Sequence, residues 1–98
     1  MPEEAIIRRH NRAIDLAVSM LKKSGGYGRV IRLNDPSCPF HIEFCRKKEV
    51  RKIRIILDAI TEQDRQLCKE WDLNESIFTK EIWLKKHSVG GFDQIIEI

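Results

Sequence analysis

At "SGGYG", residues 24 to 28, the spacing of apolar residues switches from helical to alternating, and this switch constrains the fold more than any other feature. Before it, Ile6, Ala13, Ala17, Met20 and Leu21 recur at three- and four-residue intervals, which predicts one long helix from about Glu3 to Lys23 with a single core-facing stripe. Pro2 falls near its first turn, and Glu3 and Glu4 suit the positive end of its dipole. Arg8, Arg9, Arg12 and Asp15 lie largely off the stripe, and the glycines after Lys23 stop the helix because they adopt left-handed conformations freely. After the switch, "YGRVIRL" reads as a first strand and "NDPSCP" as a turn. "FHIEFC" alternates strictly and reads as a second strand, with Phe40, Ile42 and Phe44 toward a core. A polar turn, "RKKE", leads to a third strand, "VRKIRIIL", antiparallel to the second. "TEQD" is similar to a capping box, with Thr61 as cap and Asp64 three residues on. The helix it opens runs to about Trp71 and is expected to bury Leu67, Cys68 and Trp71. "TKEIWLKK" reads as a fourth strand, "HSVGG" as a turn and "FDQIIEI" as a fifth strand.

The order α-β-β-β-α-β-β defines an α+β fold with an α/β-like core. The strands between Tyr27 and Leu57 should form an antiparallel meander, and the helix from Thr61 should cross over it. "TKEIWLKK" would then join the same sheet in parallel, since a helix between two strands suits a crossover connection. The result is a central mixed sheet flanked by helices. At 98 residues, without repeats or linkers, the chain is expected to form a single domain, 1–98, with one modest core. Hydrophobic residues make up 42% and charged residues 34%, as in an ordinary compact globule. No apolar run approaches the roughly 18 residues of a membrane span. The first residues are acidic where a signal peptide would be basic, and three cysteines at irregular spacing point to reduced thiols in a cytoplasmic setting.

"CPFHIEFC" concentrates the residues that could carry chemistry. Cys38, His41 and Cys45 are competent zinc ligands, but in a strand His41 and Cys45 would lie roughly 13 Å apart. That separation rules out one tetrahedral ion unless the strand bends sharply. Cys68 belongs to the second helix, and no phosphate loop, nucleophile elbow or dinucleotide fingerprint accompanies these residues. The basic residues carry a stronger signal. Arg46, Lys47, Lys48, Arg51, Lys52 and Arg54 fall within nine positions, opposed in that span only by Glu49. In a hairpin, Arg46 to Lys48 would crown the turn while Lys52 and Arg54 share one face, and Arg29, Arg32, Arg8, Arg9 and Arg12 could extend the surface. Such a surface neutralises phosphates and releases counterions, giving sequence-independent affinity for nucleic acid, duplex rather than single-stranded because no aromatic residue interleaves with it. The plainer reading is a solvated hairpin whose charges discourage edge-to-edge aggregation.

The stretches "AIDLAVSMLKKSGGYGRVIRL", "CPFHIEF", "VRKIRIIL" and "KEIWLKK" together resemble the restriction-endonuclease-like, or PD-(D/E)XK, superfamily. The resemblance covers nearly the whole chain and rests on mostly apolar motifs. It implies metal-binding acids on the second and third strands, with a lysine two residues after the second acid. Here "PFHI" places His41 at the first acid position, and the third strand offers Lys52, Arg54 and Ile56 with no Glu-x-Lys. Arginine repels a metal ion, so the resemblance implies a nuclease fold without the nuclease site, hence no catalytic residues and no cofactor. A displaced Mg²⁺ site drawn from Glu4, Glu43 and Asp58 is the alternative that would retain nuclease activity, with Asp35 also near the region. Two further alternatives stand. A double-stranded-RNA-binding domain shares the first five elements but leaves the last two strands unexplained. A small interaction protein would use "FDQIIEI" as an edge strand for a homodimer or a protein partner.

Overall fold

The computed structural model describes residues 3–24, 28–71, 78–87 and 90–98. Helix α1 spans Glu3–Ser24, and the strands β1 Arg29–Arg32, β2 Ile42–Arg46 and β3 Glu49–Leu57 follow it. Helix α2, Glu62–Glu70, leads to β4, Phe78–Lys85, and β5, Gln94–Glu97. The order is the one the periodicities predict. Pro2, residues 25–27 of the glycine turn and residues 88–89 of "HSVGG" lie outside the described residues.

The five strands form one mixed sheet in the order β1-β2-β3-β4-β5. β1, β2 and β3 make an antiparallel meander, and β4 pairs with β3 in parallel from Val50 opposite Phe78 to Leu57 opposite Lys85. β5 then pairs antiparallel with β4 and forms the far edge. The connection between these parallel neighbours, residues 58–77, contains α2, as a crossover usually does.

The helices cover opposite faces. α1 presents Ala13, Ile14, Ala17 and Leu21 to Ile42, Phe44, Ile53, Ile55 and Trp83. Its two buried alanines let the helix lie close to the sheet. Ile6, expected in this stripe, is 47% exposed. The cause is geometric: His10 already reaches Ile55 near the end of β3, so the first turns of α1 project past the strand. On the other face Phe40, Cys68 and Ile82 form a smaller core, flanked by the partly buried Cys38, Ile56, Trp71 and Ile96. Phe40 therefore does not share a face with Ile42 and Phe44. β2 begins only at Ile42, and the chain passes from one face of the sheet to the other at His41.

α2 also departs from expectation, with Leu67 exposed and Asp64 buried beside Cys68. Asp64 completes the capping box. It accepts from the Thr61 backbone N–H at 2.9 Å, while the Thr61 hydroxyl oxygen accepts from the Asp64 N–H at 3.1 Å. Arg54 of β3 donates to the same carboxylate at 3.1 and 3.2 Å. Burial works to raise the Asp64 carboxyl, but the bonds from Thr61 and Arg54 hold it below the ordinary value. A short polar helix is thus anchored by a carboxylate and one buried thiol.

The central strand repeats this device on the α1 face. Arg51 donates twice to Glu81, at 2.6 and 2.8 Å, with its guanidinium 5.6 Å from the Phe44 ring centre and 6.0 Å from that of Trp83. The Trp83 indole N–H donates to the same carboxylate at 3.1 Å. Glu81 is 7% exposed, so Arg51→Ala would leave a buried carboxylate without its counterion and is expected to destabilise the fold by about 3 kcal/mol. Replacing the pair together, Arg51→Met with Glu81→Leu, should recover most of that loss, since well-packed apolar substitutes for a buried ion pair are often neutral. Urea denaturation reads both. A single variant as stable as the parent would show that the pair does not hold the sheet.

Candidate functional site

The six basic residues of the β2–β3 hairpin divide into two groups. Arg46, Lys47 and Lys48 are exposed at the turn, where Arg46 stands opposite Glu49. Lys47 has φ 50°, a left-handed conformation that costs a non-glycine residue roughly 1–2 kcal/mol. Arg51, Lys52 and Arg54 are instead part of the sheet's interior structure. Arg51 is held by Glu81, Lys52 pairs with Glu43 directly across the ladder, and Arg54 pairs with Asp64 while donating to the Pro39 carbonyl at 2.7 Å. Lys52 and Arg54 do share a face, but it is the half-buried face beneath α2. Arg51 is expected to be exposed, and instead it is half-buried between Phe44 and Trp83.

The residues expected to extend this surface also separate. Arg9 pairs with Asp58, and Arg32 pairs with Asp15 and bonds Asn11 at 3.0 Å. Arg8, Arg9 and Arg12 belong to the first half of α1, beside the carboxyl end of β3, whereas the hairpin turn sits at its start. What does reach the hairpin end is the other half of the helix. From His10 to Lys22 the helix advances roughly 18 Å, about the distance from Ile55 back to Glu49 along β3. Ser24 lies five residues before Arg29, which is registered against Cys45 next to Arg46. Lys22, Lys23 and Arg29 therefore join Arg46, Lys47 and Lys48 at one end of the sheet. All six are exposed, and none makes an ion pair among the described residues. Sequence reading missed the two helix lysines as part of this group, and the signal for them was the return of the chain into β1 directly after "KKSGG".

The opposite end of β2 holds His41. Its backbone N–H donates to the Ile53 carbonyl, and its Nδ1 accepts the Ile55 N–H at 2.9 Å. The Ile55 carbonyl in turn lies 2.8 Å from His10 Nε2. A carbonyl only accepts, so His10 carries its proton on Nε2, while His41 Nδ1 must be bare. The two rings meet edge to face with centres 4.6 Å apart. They continue the hydrogen-bonding of β3 where β2 has not yet begun. The His41 imidazole is pulled down to about 4, first by burial and then by repulsion from His10, Arg54 and Arg32, with Asp64 opposing.

This end does not assemble the acids of the displaced Mg²⁺ site. Glu43 is engaged by Lys52, Asp58 by Arg9, and Glu4 is exposed in the first turn of α1. Asp35 is likewise a turn residue, accepting from the backbone N–H and hydroxyl of Ser37 at 3.0 and 2.7 Å. Among the described residues no group of three or more histidine, cysteine, aspartate or glutamate side chains is placed to hold a metal ion, and this includes the Cys38, His41 and Cys45 set. Cys45 directs its thiol toward Glu43 at 3.7 Å, while Cys38 packs in the small core with Cys68. Comparison with protein-family models, curated proteins and solved structures finds no match to this chain.

The histidine geometry has a consequence in solution. Because the folded-state value of His41, about 4, lies below its ordinary 6.5, the folded state takes up the proton less readily than the unfolded chain. Its contribution is complete above pH 6.5 and is lost progressively as the pH falls toward 4. Urea midpoints should therefore drop between pH 7.5 and 5. His41→Asn, which keeps an acceptor near the Ile55 N–H but does not titrate, should flatten that drop. An unchanged pH profile in the variant would remove His41 as its source.

Proposed function

We propose that the chain is a non-catalytic, endonuclease-like module that binds nucleic acid through the cationic end of its sheet. One observation carries this reading: six exposed cations from three elements collect at one end without ion-pair partners among the described residues, although the cations within β3 are all neutralised internally. Cations so arranged can displace the counterions condensed on a phosphate backbone, an interaction that needs no sequence readout. The placement of His41 and Arg54 where the resemblance implies metal-binding acids supports binding without cleavage. A second reading, a homodimer or protein-partner module acting through β5, is favoured by that strand's edge position and by Ile95, 51% exposed on it.

Fluorescence anisotropy with labelled duplex DNA and RNA across a salt series tests the proposal. Affinity should vary little with sequence and fall steeply with salt. Lys47→Ala with Lys48→Ala should flatten the slope of log K against log salt by about two units on DNA, at roughly 0.9 per lost phosphate contact. Melting temperature should hold, because neither lysine pairs with an acid among the described residues. Plasmid incubated with Mg²⁺ or Mn²⁺ should remain intact. Binding that is absent near physiological salt, or indifferent to the double substitution, would transfer the function to the β5 edge.

A further inference from the structure

A cavity of about 290 Å³ opens at the carboxyl ends of the two parallel strands, away from the hairpin. Ala13 and Leu16 of α1 and Leu57 at the end of β3 give it an apolar floor. Its remaining walls carry Arg9, Arg12, Lys85 and His87, and no carboxylate lines it among the described residues. Leu57 and Lys85 are register partners, so the floor and one cationic wall are fixed by the same ladder.

The two groups that matter are Lys85 and Arg12. Lys85 is 8% exposed, with its ammonium donating to the Gly90 and Gly91 carbonyls at 2.8 and 3.1 Å and lying 5.9 Å from the Phe92 ring centre. An ammonium has three donors, so one is left unfilled by the described residues, and both partners are neutral. No ion pair among the described residues reaches it. Asp93 contributes a favourable charge nearby, but its carboxylate is committed to the Lys86 backbone N–H at 2.6 Å. A buried cation without a contacting anion is costly, and an anion entering the cavity would relieve that cost. Arg12 is exposed, and none of its five donors meets a described residue. Arg9 differs: Asp58 and the Lys86 carbonyl occupy it, so it forms a wall.

An apolar floor with a few convergent polar groups is the usual composition of a small-molecule site, and the crevice beyond the carboxyl ends of parallel strands is a recurrent place for one. The volume lies at the low end of such sites, roughly 300–1,000 Å³, which limits the apolar body to about one ring. We propose that this cavity binds a small organic anion, a phosphate or carboxylate held by Lys85 and Arg12 on a ring-sized apolar body that rests on Ala13, Leu16 and Leu57.

Calorimetric titration of the full chain with phenyl phosphate, benzoate, inorganic phosphate and benzyl alcohol tests this, with amide NMR shifts locating the site. Phenyl phosphate and benzoate should bind with shifts at Ala13, Leu16 and Leu57. Inorganic phosphate should bind at least tenfold more weakly, and benzyl alcohol should not bind measurably. Arg12→Gln should weaken phenyl phosphate roughly tenfold or more, the loss of one charge-assisted contact, without changing the melting temperature. Lys85→Met, if it melts as a folded protein, should abolish binding; the exposed Arg12 keeps the test decisive if it does not. Lys47→Ala with Lys48→Ala should leave phenyl phosphate binding unchanged. Benzyl alcohol binding as well as phenyl phosphate, indifference to Arg12→Gln, or loss in the Lys47 and Lys48 variant would each overturn the proposal.

Discussion

β3 lies at the middle of the sheet with a helix toward each face, yet it carries Arg51, Lys52 and Arg54 within four positions. A strand so placed can hold three cations only if each finds an acid. The acids come from three different elements: Glu81 from β4, Glu43 from β2 and Asp64 from α2. The pairs therefore fix how those elements sit on β3. Glu81 is registered opposite Ile53, two positions beyond the residue facing Arg51, and a one-residue slip of β4 would carry it to the other face of the sheet. Asp64 serves Arg54 and the α2 capping box together, which ties the start of that helix to the central strand. Pairs of this kind add modest net stability but penalise any arrangement that leaves one charge alone, so they select this register over its neighbours.

The fold was legible where the determining signal is local. The helical spacing of Ala13, Ala17 and Leu21, the alternation after Ile42 and the Thr61–Asp64 cap each depend on residues within a turn or two. What stayed hidden depends on residues far apart in sequence. Phe40 continues the alternation of Ile42 and Phe44, but α2 offers it a core on the opposite face, and the strand starts two residues later than the pattern implies. Leu67 is the most apolar residue of α2, yet it is exposed, whereas Cys68 is in the core as expected, Trp71 packs against it, and Asp64 is buried beside them. The basic cluster shows the same limit. Glu49 is the only acid inside it, while Arg51 finds its partner 30 residues away. Counting charge along the chain thus overstated the available cations at Arg51, Lys52 and Arg54, and it understated the contribution of Lys22 and Lys23.

The His41 end shows side chains standing in for a missing strand neighbour. The His41 imidazole accepts the Ile55 N–H, and His10 covers the carbonyl of the same residue. Together they satisfy a stretch of β3 that β2 does not reach, and backbone groups left unpaired there would each be costly. Arg54, on the neighbouring strand, adds positive potential beside His41 and is itself paired with Asp64. His41, His10, Arg54 and Asp64 thus all serve to hold this end of the sheet together.

Satisfying the interior in this way leaves the chain's surplus positive charge at the two ends of the sheet, under different physical conditions. At the hairpin end, Arg46, Lys47 and Lys48 are in water, where salt screens each charge within about 10 Å and side-chain freedom keeps the contact adaptable. Such charges attract a polyanion from a distance but distinguish poorly between one anion and another. At the carboxyl end of β3 and β4, Lys85 is buried at the wall of a cavity and held by two carbonyls. There a charge interacts more strongly because the local dielectric is lower, and its fixed position makes the interaction depend on shape. The two proposed sites would therefore differ in kind, the hairpin end meeting a long, uniform ligand through screened charges and the cavity a small one through a fixed charge.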